Sequence, residues 1–312
     1  MSAPASTEAK PGIVATRAEL VALGYEKLAA PRRRAIRVAT REAGGRSSRF
    51  RGRGMEFSEV RAYQPGDDVR SIDWRVTART GRAHSKLFEE ERERPVWLLV
   101  DLGPSMRFGT RAAFKSVAAA RAAALLAWQA HREGERVGAS VAAPGAWTQL
   151  PPGRTRRQLL HLLGVLADGT AADAELPAET LETQLRGLEP RLRSGSRVVL
   201  VSDFYGWGEA LSLALGRLAQ RCDVTLVHVY DPLEAAPPPA GRYRVSDGHE
   251  IRSISSGRDG AWQRCIARDF EARSRELQEL ARRCRIELIA VRTDDPPASH
   301  WSPARANAKG AA

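Results

Sequence analysis

Apolar and polar positions settle into a regular rhythm at Pro95 and keep it almost to the end of the chain. RPVWLLVD (94 to 101) is a short apolar run that closes on an acid. Phe114, Val117, Leu125 and Trp128 then mark one face of a helix predicted over about 112 to 132. RVGASVAA (136 to 143) reads as a strand, and AWTQL can pair with it through Pro144 and Gly145. Helical stretches follow at about 154 to 167 and 175 to 188. RVVLVSD (197 to 203) is a second apolar strand ending in an acid, succeeded by a helix at about 207 to 220 and the strand DVTLVHVY (223 to 230). YRVSDGHEIRSI (243 to 254) sets Asp247-Gly248 between alternating residues, which predicts a hairpin. A long helix over 258 to 284 carries Trp262, Ile266, Phe270, Leu277 and Leu280 on one face, and the strand RIELIAVR (285 to 292) closes the series.

Strands that read as unbroken apolar runs and alternate with helices predict an α/β fold, a mostly parallel sheet with helices on both faces. In such sheets ligands bind beyond the carboxyl ends of the strands, which directs attention to Asp101 and Asp203.

Upstream of this domain (94 to 292) the pattern changes twice. Residues 1 to 30 read as a polar tail and a short helix from about 16. Residues 31 to 54 form an arm with nine arginines, among them Arg32, Arg33, Arg34 and Arg37, against the single acid Glu42. The arm alone carries +8 of the chain's net +12, so the basic total is mostly local. Residues 55 to 93 interleave acids and bases with Tyr63, Trp74 and the turn Gln64-Pro65-Gly66-Asp67-Asp68, and read as short strands and a hairpin packed on the main domain. From Thr293 to residue 312 the chain is rich in Pro and Ala without period, which predicts a disordered tail.

With 312 residues, 43% of them hydrophobic, the chain can bury a sizeable core, and disorder or a disulfide scaffold is excluded as a description of the whole. Cys222, Cys265 and Cys284 match neither a zinc pair nor a CxxC motif and read as buried thiols of a reducing compartment. No run approaches the ~20 apolar residues of a membrane span, and the first residues lack a signal-peptide core; a cytoplasmic protein is expected.

The chemistry gathers at the two acid-terminated strands. Asp101 is followed by Leu102-Gly103-Pro104-Ser105, and a hydroxyl four residues on returns to the same point if the chain turns through Gly-Pro. Asp203 follows Ser202 at the matching place. Two carboxylates with such hydroxyls would make an all-oxygen site suited to Mg²⁺ or Mn²⁺. The alternative is that each acid caps the helix after it. Phosphate-loop, GxSxG and HExxH signatures are missing, and His228 inside TLVHVY reads as a core histidine.

The stretch GRGMEFSEVRAYQPGDDVRSIDWRVTARTGRAHSKLFEEERERPVWLLVDLGPSM resembles the signature of domain-of-unknown-function family 58, bacterial proteins related to von Willebrand factor A domains. The resemblance implies a von Willebrand A-like, Rossmann-like fold. It also implies a metal-ion-dependent adhesion site of the DxSxS type, in which Mg²⁺ recruits an acidic group of a partner. On that pattern Asp101 is the first aspartate, Ser105 the second serine, Asp203 the later aspartate and Thr170 the threonine, while Gly103 stands where the first serine is expected. The implied partner is a MoxR-type AAA ATPase, the pair acting on a client protein in a chaperone-like way.

The signature segment itself has two readings. Arg61, Asp67, Asp68, Arg70, Asp73, Trp74 and Arg79 either form a salt-bridged scaffold or a docking surface for a partner protein. Two further functions stay open: nucleic-acid or anionic-surface binding through the arm, and metal-dependent hydrolysis around Asp101 and Asp203.

Overall fold

A computed structural model describes residues 12–26, 55–64, 72–90, 94–143, 146–171, 180–236, 239, 241–246, 251–255 and 261–301. The chain divides into two units, Ala39–Glu93 and the remainder; the first helix, α1 (Arg17–Ala22), belongs to the larger one. The arm with Arg32, Arg33, Arg34 and Arg37, and the turn residues Asp67, Asp68 and Arg70, lie outside the described residues.

In the smaller unit β1 (Met55–Ala62) pairs antiparallel with β2 (His84–Glu90), with an irregularity between Phe57 and Glu59. Arg61 sits on β1 opposite Ser85. Between the strands lies α2 (Trp74–Thr80), a helix that the strand-and-hairpin expectation did not contain. WRVTART has no apolar stripe, so its caps define it. Asp73 Oδ1 accepts the N–H groups of Arg75 and Val76 at 3.0 and 3.2 Å, and Gly81 ends the helix at φ 71°.

The larger unit is built from β3 (Val96–Val100), α3 (Lys115–Arg132), β4 (Val137–Ala143), β5 (Ala146–Gly153), α4 (Arg156–Gly169), α5 (Leu181–Leu188), β6 (Arg197–Ser202), α6 (Glu209–Arg221), β7 (Asp223–Tyr230) and α7 (Pro232–Ala235). A separate hairpin, β8 (Arg242–Ser246) and β9 (Ile251–Ser255), precedes α8 (Ala261–Cys284) and β10 (Glu287–Arg292). Six strands form one sheet in the order β10-β7-β6-β3-β4-β5, parallel throughout except for β5.

Why β3 reads as one apolar run is visible in its packing. Val96, Leu98 and Val100 join α1, α3 and α4 on one face, whereas Trp97 and Leu99 join α5, α6 and α8 on the other. Both faces are covered, so no position on the strand is free to be polar. Helix α3 is Ala-rich and buried around most of its circumference, which lets it lie close on the strands. Across it the N-terminal segment docks: Trp128 Nε1 donates to Leu20 O at 3.1 Å, and a Cβ on Gly24 would come within 2.7 Å of the Trp128 ring.

Two expectations are corrected. The chain packs beyond Thr293: the Thr293 N–H donates to Tyr230 O at 3.1 Å, and a 3-10 turn at Pro297–Trp301 buries Trp301 in the core. All three cysteines are free, but only Cys222 is buried; Cys284 is half-buried and Cys265 exposed on the outer side of α8. Among the described residues no helix is long and apolar enough to cross a membrane.

Candidate functional site

From β3 the chain proceeds one way through β4 and β5 and the other way through β6, β7 and β10, so its winding reverses between β3 and β6. Beyond the carboxyl ends of two such strands a crevice forms with helices on either side. Asp101 and Asp203 are the residues immediately after these strands, and the Asp101 N–H still donates to Val201 O at 2.9 Å.

Each carboxylate is held by short-range donors. Ser202 Oγ donates to Asp101 Oδ2 at 2.7 Å, and the Gly103 N–H to Asp101 Oδ1 at 2.8 Å. Asp203 Oδ1 accepts the Tyr205 N–H at 2.9 Å and the Ser105 hydroxyl at 3.2 Å. The turn that aims Asp203 is unusual: Phe204 has φ 52°, a region that costs a bulky side chain, and burial of its ring against Trp207 over-determines it. The next residue, Tyr205, is 70% exposed at the mouth of the site.

Sequence reasoning missed the cation. Lys115, the first residue of α3, is 3% exposed and places Nζ 2.7 Å from Asp203 Oδ2 and 3.2 Å from Glu234 Oε1. Glu234, on α7, also pairs with Arg273 of α8 at 3.3 Å, and the Arg273 guanidinium lies 5.5 Å from the Tyr205 ring centre. Acid and base therefore alternate from Asp203 through Lys115 and Glu234 to Arg273. One signal in the sequence pointed here: among 49 basic residues the chain uses only five lysines, and one opens an Ala-rich helix.

The two aspartates titrate in opposite directions. Burial raises the Asp101 carboxyl above its ordinary range and the Asp203 charge adds to it, against the Ser202 and Gly103 hydrogen bonds and the weaker pull of the Lys115 charge. Burial also opposes ionisation of Asp203, but the Lys115 charge and hydrogen bond, with those from Tyr205 and Ser105, outweigh it and hold the carboxyl low.

The oxygens of Asp101, Ser105 and Asp203 are of the type that Mg²⁺ or Mn²⁺ takes. Their occupancy is different. A divalent ion at about 2.1 Å from Asp203 Oδ2 would share that oxygen with an ammonium 2.7 Å away. The residues present do not fit a divalent ion while Lys115 stays in place.

A buried knot fixes the loop after β3. Asp231, fully shielded at the end of β7, accepts the Thr110 N–H and hydroxyl at 3.0 and 2.5 Å, the Leu233 N–H at 3.0 Å and the Thr293 hydroxyl at 2.8 Å.

The pattern of the family described as protein of unknown function DUF58 matches residues 59–296. The chain belongs to the DUF58 family. Uncharacterized proteins of Mycobacterium bovis and Mycobacterium tuberculosis are 34% identical to it over 249 residues, 78% of this chain and 76% of theirs. Among solved structures it is similar to conserved hypothetical protein BatB from Bacteroides thetaiotaomicron (17% identity, TM-score 0.39, 66% of this chain and 93% of that one). An aerotolerance-related membrane protein from Bacteroides fragilis follows at 15% identity and TM-score 0.37, over 67% and 94%.

The remaining expected site residues of this DUF58 chain are engaged in contacts of their own. Thr170 is buried at the end of α4, where its hydroxyl donates to Ala167 O at 2.7 Å and accepts the Ala15 N–H at 2.9 Å. It anchors the N-terminal segment. Asp73 caps α2, next to Trp74, which is 68% exposed, and Arg79, which is also exposed. His228 lies in the core as expected, stacked on Phe270 with ring centres 5.9 Å apart. A cavity of about 120 Å³ lined by His131, Leu150, His161 and Leu162 lies at the amino ends of β4 and α4, at the far edge of the sheet from Asp101.

Proposed function

We propose that this DUF58 chain is a non-enzymatic protein-binding module of the von Willebrand A type. Its contact centre is the carboxyl edge of the sheet around Asp101, Ser105 and Asp203, with Tyr205 at the rim. On this reading it works with a MoxR-type AAA ATPase, as adaptor between that ATPase and a client protein. The observation that carries it is the convergence of Asp101 and Asp203 at the reversal point of the sheet, each fixed by its own hydroxyl and backbone donors. The hydroxyls of Ser105 and Ser202 are spent on carboxylates, and His228 is walled into the core, so the arrangement favours presentation of polar groups over nucleophilic attack. An acidic partner group would need a bound divalent ion to bridge it; direct hydrogen bonds and aromatic packing on Tyr205 are the contacts these residues offer instead.

Co-purification with a MoxR-type ATPase encoded in the same genome tests the proposal. Retention should drop for Ser105→Ala and Tyr205→Ala, and be lost for Asp101→Ala combined with Tyr205→Ala, with each variant's fold checked by its thermal melt. Full retention by the folded double variant would remove this edge as the contact centre.

A further inference from the structure

We infer that Lys115 is the resident cation of the strand-end site, and that the chain takes up no Mg²⁺ or Mn²⁺ there. The position argues for a dedicated role. A lysine at the first position of a helix opposes the positive end of the helix dipole, and a lysine is almost never fully buried unless paired. Lys115 is both, and the carboxylates of Asp203 and Glu234 from two different elements converge on its nitrogen. The residue type argues the same way. A chain in which 44 of 49 basic residues are arginine places here the compact ammonium, a point charge with ion-like dimensions, and not the planar fork.

The surrounding donors are turned to suit. Position 103 has no side chain, and a Cβ there would stand 2.9 Å from Asp101 Oδ1. That oxygen takes the Gly103 N–H and its twin takes the Ser202 hydroxyl, so Asp101 is satisfied within the chain. On Asp203, Ser105 and Tyr205 fill one oxygen and Lys115 the other. A metal would have to displace the ammonium, strip these hydrogen bonds and still find Glu234 held by Arg273.

Titration of the full chain with Mn²⁺, read by the electron paramagnetic resonance signal of the free ion, tests this without any partner, so the fate of the ATPase reading does not bear on it. The wild-type chain should leave the signal of the free ion unchanged, and EDTA should not move its melting temperature. Uptake of Mn²⁺ by the wild type that disappears in Asp203→Asn overturns the inference. Removing the resident cation should open the site: Lys115→Ser should take up Mn²⁺ one to one and melt higher with it, and Asp203→Asn added to it should abolish both. A folded Lys115→Ser chain that takes up none also overturns the inference, and where that variant does not fold the wild-type titration decides.

Discussion

Lys115 Nζ stands 2.7 Å from Asp203 Oδ2, and both side chains are shut off from solvent at 4% and 1% exposure. Taking two charges out of water costs energy that their attraction repays only with good geometry, so breaking one partner leaves an uncompensated buried charge. Lys115→Met and Asp203→Asn should each destabilise the fold by about 3–5 kcal/mol. The double variant should lose much less than the sum. Urea melts of the four chains give the coupling directly.

Asp101 should behave in the opposite sense. Its folded pKa is raised by burial, so its ionised form costs stability, and that cost is relieved as pH falls through the raised pKa. Asp101→Asn should therefore melt at or above the wild-type temperature near neutral pH. Asp203 has a depressed folded pKa, so its contribution is present above the ordinary value of 3.8 and is lost as pH falls below it. Melts of Asp101→Asn and Asp203→Asn between neutrality and strongly acid pH should diverge at the neutral end and converge at the acid end.

His228 sets a second acid limit. Burial among Phe204, Tyr230 and Phe270 comes first, with the Arg273 charge adding to it, and together they push its pKa from 6.5 down to about 3. Unfolded chain takes up a proton below 6.5 that the folded chain refuses, so stability falls as pH drops from there toward 3. The slope approaches about 1.4 kcal/mol per pH unit. His228→Phe keeps the stacking, removes the buried Nε2 that has no hydrogen-bond partner among the described residues, and should flatten that limb. An unchanged slope would locate the acid sensitivity elsewhere.

Gly103→Ser restores the serine of the DxSxS pattern, but the added Cβ meets Asp101 Oδ1 at 2.9 Å. The contact is with the end of a side chain and Gly103 has an ordinary φ of −63°, so a shift of the carboxylate by a few tenths of an ångström accommodates it. A loss of no more than about 0.5 kcal/mol is expected, and a thermal melt reads it.

Much of the fold was legible because burial leaves a period. Strand β3 is covered on both faces, so Leu98 and Leu99 read alike, and Asp101 and Asp203 stood out as the acids that end two such runs. Where caps or distant contacts decide, the sequence is silent. Helix α2 exists through Asp73 and Gly81 and not through an apolar stripe. Trp301 buries its ring inside a stretch whose composition reads as a tail. Lys115, Glu234 and Arg273 extend a run of alternating charges from Asp203 only because α3, α7 and α8 crowd the same edge, which no local spacing records.

The Asp231 knot changes what the loop after β3 can do. Surface loops ordinarily open on their own, far more often than the domain unfolds. Here Thr110 shares one buried carboxylate with Leu233, just after β7, and Thr293, just after β10. Opening the loop takes two donors from a buried carboxyl group, so the amide of Thr110 should exchange its hydrogen together with those of β10. The floor of the site then persists for as long as the sheet edge does, and a docking partner meets it already formed.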